Sequence, residues 1–202
     1  MDLSLARRRA GPGLVLGAAL CAALAWAAPA RAAEIEICFG YSCYRQARAI
    51  FADDDLRELR ELLAPAADAA AERDAIARAV GRMYAIAARQ TPIWRDRGRN
   101  TLEERHLEGA MDCIDHSTNT GAFLHLLWRE GMLRHHRPAS AQRRFAFLVF
   151  GEHWSASLVA NDGGEQFAVD TWFLDPGLPA TVVTLSRWKA GYDPEDAPEA
   201  TR

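Results

Sequence analysis

Gly151-Glu152-His153-Trp154-Ser155-Ala156-Ser157-Leu158-Val159-Ala160 and Glu165-Gln166-Phe167-Ala168-Val169-Asp170-Thr171-Trp172 flank the tetrapeptide Asn161-Asp162-Gly163-Gly164. Two apolar, partly β-branched runs on either side of Asp-Gly are a hairpin signal. The pattern predicts strands over His153 to Ala160 and Glu165 to Trp172. With Asp162-Gly163 at the tip, His153 faces Trp172 and Ser155 faces Asp170. Side chains alternate along a strand, so His153, Ser155, Asp170 and Trp172 share one face. Asp170 is then the diagonal neighbour of His153, within reach of a hydrogen bond. A slip of one residue would put the two on opposite faces.

Upstream of the hairpin, Asp112 to Glu130 is the best-defined helix. Asp112 suits the N-cap, and Asp115 three residues on makes an acidic variant of the capping box. Cys113, Ser117, Thr120, Leu124 and Leu127 follow one face, and Ile114, Phe123, Leu126 and Trp128 make others apolar. A helix apolar nearly all round is central and buried. Gly131 ends it. Earlier, Ser42 to Phe51, Asp54 to Leu63 and the alanine-rich Ala67 to Gln90 read as helices. The second is opened by an aspartate cap and stopped near Pro65. A basic loop, Thr91 to Arg105, and a weak helix, Leu102 to Leu107, follow. Phe145 to Phe150 suits a strand covered on both faces, and Thr181 to Leu185 adds another. The expectation is an α+β fold: a helical N-terminal half packed on an antiparallel sheet, with the Cys113 helix central.

Residues 1–32 read as an export signal. Arg7-Arg8-Arg9 supplies the positive region, Gly13 to Ala28 the apolar stretch, and Ala30-Arg31-Ala32 a small-x-small cleavage site, with Ala33 as the mature start. An uncleaved anchor is the alternative; Pro29 and the small residues beside it argue for cleavage. No other segment is apolar enough to span a membrane. Residues 33–190 then form one domain, and 191–202 a flexible, acidic, Pro-bearing tail. The leader holds four of the 24 basic and one of the 27 acidic residues, so its removal takes the net charge from −3 to −6. An acidic surface argues against a nucleic-acid partner. Export also places the cysteines in an oxidising compartment, where Cys38 and Cys43 are near enough in sequence to pair. The alternative, Cys113 bonded to one of them, stays open at this level.

With Cys113 free, its helix start set against the hairpin face carries a catalytic arrangement. The helix N-terminus and a nearby imidazolium would lower the thiol pKa toward a thiolate at neutral pH. His153 would take up and return the proton, and Asp170 would fix the ring tautomer. The Cys113 N–H, unpaired in the first helical turn, is available to an oxyanion. Trp94, Asn100 or a loop amide are candidates for a second donor. The competing readings are an inert buried thiol, a non-catalytic binding module on the same fold, and a metal site drawing on Cys113, His116, His153 and Asp170, with His106, His125, His135 and His136 as further candidates. Ser155 reads as a hairpin polar residue rather than a nucleophile.

The order Cys, then His-Trp on one strand, then Val-Asp on the next resembles the papain-like transglutaminase core. Asp112-Cys113-Ile114-Asp115-His116 is similar to the Asp-Cys-acidic-Asp-aromatic segment of bacterial transglutaminase-like cysteine proteinases, over about residues 90 to 175. These are periplasmic enzymes, some of which release surface adhesins. The resemblance implies a papain-like, transglutaminase-like fold, a Cys113-His153-Asp170 triad, and a protein or peptide substrate cleaved through a thioester. It requires no cofactor, although some members bind calcium beside the cysteine. Asp112 matches one such acidic position, while Ile114 stands where the second carboxylate would be and His116 replaces the aromatic.

Overall fold

The computed structural model describes residues 32–145 and 151–196. The expected export signal, but for Ala32, and all but the first residue of the Phe145 to Phe150 run lie outside them. Among the described residues, four helices and two antiparallel sheets make a mixed, α+β architecture.

The chain opens with a hairpin where a helix was expected. β1 (Ala33–Phe39) pairs antiparallel with β2 (Arg45–Phe51), so Ser42 to Phe51 is not helical. The N-terminal half is therefore helix and sheet together. α1 (Asp53–Leu63) and α2 (Ala69–Ala88) follow close to their expected positions. Asp68 caps α2 by accepting from the Ala71 amide at 2.8 Å. No side chain caps α1; instead Asp55 reaches back to the Ala52 amide. Gly81 in the middle of α2 has a packing reason. A Cβ there would stand 2.5 Å from the Leu178 carbonyl oxygen, so only glycine lets the 177–180 loop close on the helix.

Two 3₁₀ turns, Pro92–Arg95 and Leu102–His106, lead into α3 (Cys113–Arg129). α3 touches β1 on one side and the second sheet on the other, which makes it the centre of the molecule. Phe123 on α3 meets Tyr84 of α2 at 5.0 Å and Phe51 of β2 at 5.9 Å, both edge to face. Such pairs add about 0.5–1.5 kcal/mol each beyond area burial. Burial is not all round, however: Thr118, His125, Trp128 and Arg129 face solvent.

The second sheet has the order β3-β4-β5-β6. β3 (His136–Phe145) was not foreseen; its arginines, Pro138 and exposed Phe145 fit an edge strand. β4 (Glu152–Ala160) and β5 (Gln166–Asp170) form the hairpin in the expected register, with Ala156 opposite Val169 and Leu158 opposite Phe167. β6 (Thr181–Thr184) closes the sheet and runs into α4 (Leu185–Lys189). Past α4, Tyr192 and Asp193 do not behave as a loose tail. Arg144 donates to the Tyr192 carbonyl at 3.0 Å, and Arg99 to Asp193 at 2.8 Å. Residues 197–202 lie outside the description. Among the described residues, no helix is long and apolar enough to cross a membrane.

Candidate functional site

The start of α3 is built from two acids and a disulfide-bonded turn. Cys38 and Cys43 are joined, which leaves Cys113 as the free thiol among the described residues. Between the bonded pair, Gly40, Tyr41, Ser42 and Cys43 all take positive φ, from 55° to 81°. Three non-glycine residues in that region carry strain unless their surroundings hold them. Here successive amides converge on carboxylates, as in anion-binding nests. Tyr41 and Cys43 donate to Asp115 at 2.8 and 2.6 Å, and Ser42 to Asp112 at 3.0 Å. Asp112 also caps α3 by accepting from Ile114 and Asp115, while Asp115 accepts from the Asp112 amide.

That cradle bears on the calcium the resemblance implies for some relatives. Every carboxylate oxygen of Asp112 and Asp115 already faces N–H donors, which repel a cation, and Ile114 brings no oxygen ligand. The residues do not fit the ion. Burial, with the Asp112 charge beside it, pushes the Asp115 carboxyl up to about 6.

Cys113 meets the hairpin where the β4–β5 ladder stops. Ladder pairs run from Val159–Gln166 to Ala156–Val169, and below them the thiol lies against the β4 backbone. Sγ donates to the Glu152 carbonyl across a long 3.9 Å, and the Trp154 amide points back at the sulfur. His153, between those two residues, is buried and gives Nε2 to Asp170 Oδ2 at 2.7 Å. Asp170 is 2 % exposed and also accepts from the Trp172 amide at 3.1 Å and from Trp188 Nε1 at 2.8 Å. Rings of Trp172, Phe173 and Trp188 stand 4.9–5.6 Å from the imidazole and wall it in. Among the described residues Nδ1 of His153 makes no hydrogen bond. With Nε2–H committed to the carboxylate, Nδ1 is the nitrogen left to accept a proton.

The protonation of the thiol differs from expectation. Burial pushes Cys113 up to about 11; the charges of Asp112 and Asp170 raise it further, while the Trp154 and Cys113 amides pull it down. The resting sulfur therefore carries its proton at neutral pH. Desolvation outweighs the helix start, because the same packing that brings the hairpin to Cys113 removes its water.

The other candidates are engaged elsewhere. Ser155 is buried and donates to the Ala156 carbonyl at 2.9 Å. Asn100 gives its amide to Asp96 at 2.6 Å, and Trp94 is 60 % exposed beneath Arg95, so neither serves an oxyanion. His116 is fully committed, Nε2 to Asp96 at 3.1 Å and Nδ1 to Thr171 at 3.0 Å, and is not a ligand partner for Cys113. Thr171 also meets Thr120 and Tyr84, completing a buried polar network one helical turn from the thiol. His106 and His125 are exposed, and His136 is bonded to Glu72. Among the described residues no group of three or more His, Cys, Asp or Glu side chains gathers as a metal site.

Three contributors were not read from the sequence. Asp96 sits between arginines in a stretch that looks solvated, and no local pattern marks it as buried. The amide nest depends on the disulfide. Trp188 carried a faint signal: Thr184 before Leu185 and Trp188 is a capped apolar turn, and Thr184 Oγ1 does accept from the Arg187 amide. No protein-family profile, curated protein or solved structure matches this chain.

Proposed function

We propose that the chain is an exported thiol hydrolase with a papain-like, transglutaminase-like core, cleaving peptide or amide bonds through Cys113, His153 and Asp170. The observation that carries this reading is the 2.7 Å bond from His153 Nε2 to Asp170, made on the strand whose backbone receives the Cys113 thiol. His153 Nδ1 takes the thiol proton as the sulfur attacks the substrate carbonyl carbon. The oxyanion is met by the Cys113 N–H, with the Trp154 amide beside it. The tetrahedral species expels the amine, which takes the proton from His153, and leaves a thioester at Cys113. Water, activated by the same imidazole, releases the acid and restores the thiol. Because the resting thiol is protonated, transfer to His153 accompanies attack rather than preceding it. A protein or peptide substrate is the class that the resemblance suggests.

The raised thiol favours a second reading, a binding module on the same fold whose cysteine is silent. Alkylation of Cys113 by iodoacetamide across pH separates the two. A triad labels near neutrality, and His153→Ala delays labelling toward the thiol's own value of about 11. Labelling that ignores His153 would sink the hydrolase reading. In the peptide assay that follows, Cys113→Ala abolishes turnover while the fold persists.

A further inference from the structure

Asp170 holds His153 with one oxygen, and that oxygen has a second donor from outside the hairpin. Oδ2 accepts from His153 Nε2 at 2.7 Å and from Trp188 Nε1 at 2.8 Å, while the Trp172 amide holds Oδ1 at 3.1 Å. Trp188 belongs to α4, packed against β5 and β6, and is completely buried. Its ring lies 5.6 Å from the imidazole at an interplanar angle of 35°. The Arg144 guanidinium stands 4.8 Å from the indole centroid and donates to the Trp188 and Tyr192 carbonyls. A few residues on, Asp193 pairs with Arg99, whose own amide donates to Trp172 at 2.7 Å. The segment after β6 is thus tied to the site at three points.

We propose that Trp188 is a positioning residue for the triad: its indole N–H fixes the Asp170 carboxylate and shares Oδ2 with His153, so that the carboxylate orients the imidazole without capturing its proton. The inference rests on the triad reading given above. An indole N–H only donates and does not ionise in the working range, so it is a permanent partner while His153 cycles. Hydrogen bonds to a charged acceptor are stronger than neutral ones, and two donors on one oxygen divide its pull. The Trp172 amide locks the other oxygen, so the carboxylate cannot rotate to escape the sharing. Shape alone would be met by any large apolar side chain; the aimed N–H is what a positioning role needs.

The test uses the full chain and Trp188→Phe, which keeps an aromatic ring and removes the donor. Without the indole, Oδ2 gives its whole charge to His153, the ring holds its proton to higher pH, and the base form needed by the thiol appears later. The onset of Cys113 alkylation should move up by about one pH unit. A variant that loses thermal stability but keeps the wild-type onset overturns the proposal, because packing alone would then explain Trp188. The second readout is independent of thiol reactivity and of whether the variant folds. In proton–nitrogen NMR of the unmodified sequence, the Trp188 indole resonance should move with pH as the imidazole changes its protonation state. That movement should vanish in His153→Ala. An indole signal indifferent to pH, or one that moves equally without His153, refutes the coupling. If instead alkylation proves independent of His153 while the indole still follows the imidazole, the hydrolase reading falls and the Trp188–Asp170–His153 coupling stands.

Discussion

Asp170 accepts three N–H groups in a buried pocket, and an asparagine there cannot. Turned so that its oxygen serves His153 and Trp188, an asparagine presents NH2 to the Trp172 amide; turned the other way it faces two donors. Either way a buried N–H loses its acceptor, at a cost of about 1–3 kcal/mol. Asp170→Asn should therefore lower the free energy of unfolding in urea by that amount and slow Cys113 alkylation near neutrality by roughly tenfold or more, since the imidazole loses the carboxylate that fixes its tautomer. Full stability in urea would mean that the three bonds do not hold the carboxylate. The His153–Asp170 contact was legible in the sequence because alternation and one Asp-Gly turn fix which residues meet. The state of the thiol was not. It depends on how much water the Glu152–Trp154 backbone displaces from Cys113, and on the charges of Asp112 and Asp170 once packed nearby.

At the scale of elements, helices and the β4–β5 hairpin were legible because each carries its own period and punctuation. The β1–β2 hairpin was not. Arg45-Gln46-Ala47-Arg48-Ala49 has good helix formers, and local propensity alone favours a helix. What wins is pairing with β1, set by a disulfide and a run of left-handed residues that no propensity scale anticipates. β3 was hidden for a different reason: an edge strand of arginines lacks the apolar alternation that marks a half-buried one. The disulfide's role can be measured. Replacing both Cys38 and Cys43 by serine should cost about 2 kcal/mol by the chain-entropy account of a loop this short. It should also release the amides at positions 41 and 43 from Asp115, seen as faster hydrogen exchange there. Retained protection at both amides would show that the nest holds itself together.

Over the whole molecule, a buried, hydrogen-bonded glutamate joins the helical layer to the second sheet. Glu72 of α2 is 1 % exposed and accepts from the Arg134 and His135 amides at 2.6 and 2.9 Å and from His136 Nδ1 at 2.8 Å, all at the entry to β3. Burial alone would raise its pKa, but the His136 bond and the two amides more than offset that and leave it lowered. A carboxyl depressed in the folded state stabilises the fold above its unfolded value, near 4.5, and that contribution drains away as pH falls through the folded one. Asp115 has the opposite sign. Raised to about 6 from 3.8, it weakens the fold as pH climbs between those values. Glu72→Gln isolates the first effect. Its deficit in urea should be about 2 kcal/mol at neutral pH, from hydrogen bonds to a charged group, and should shrink in acid as the wild-type carboxyl protonates below its ordinary range. Equal deficits at neutral and acid pH would show that the glutamate acts by shape and not by charge. The tie between α2 and β3 would then owe nothing to the His136 pair.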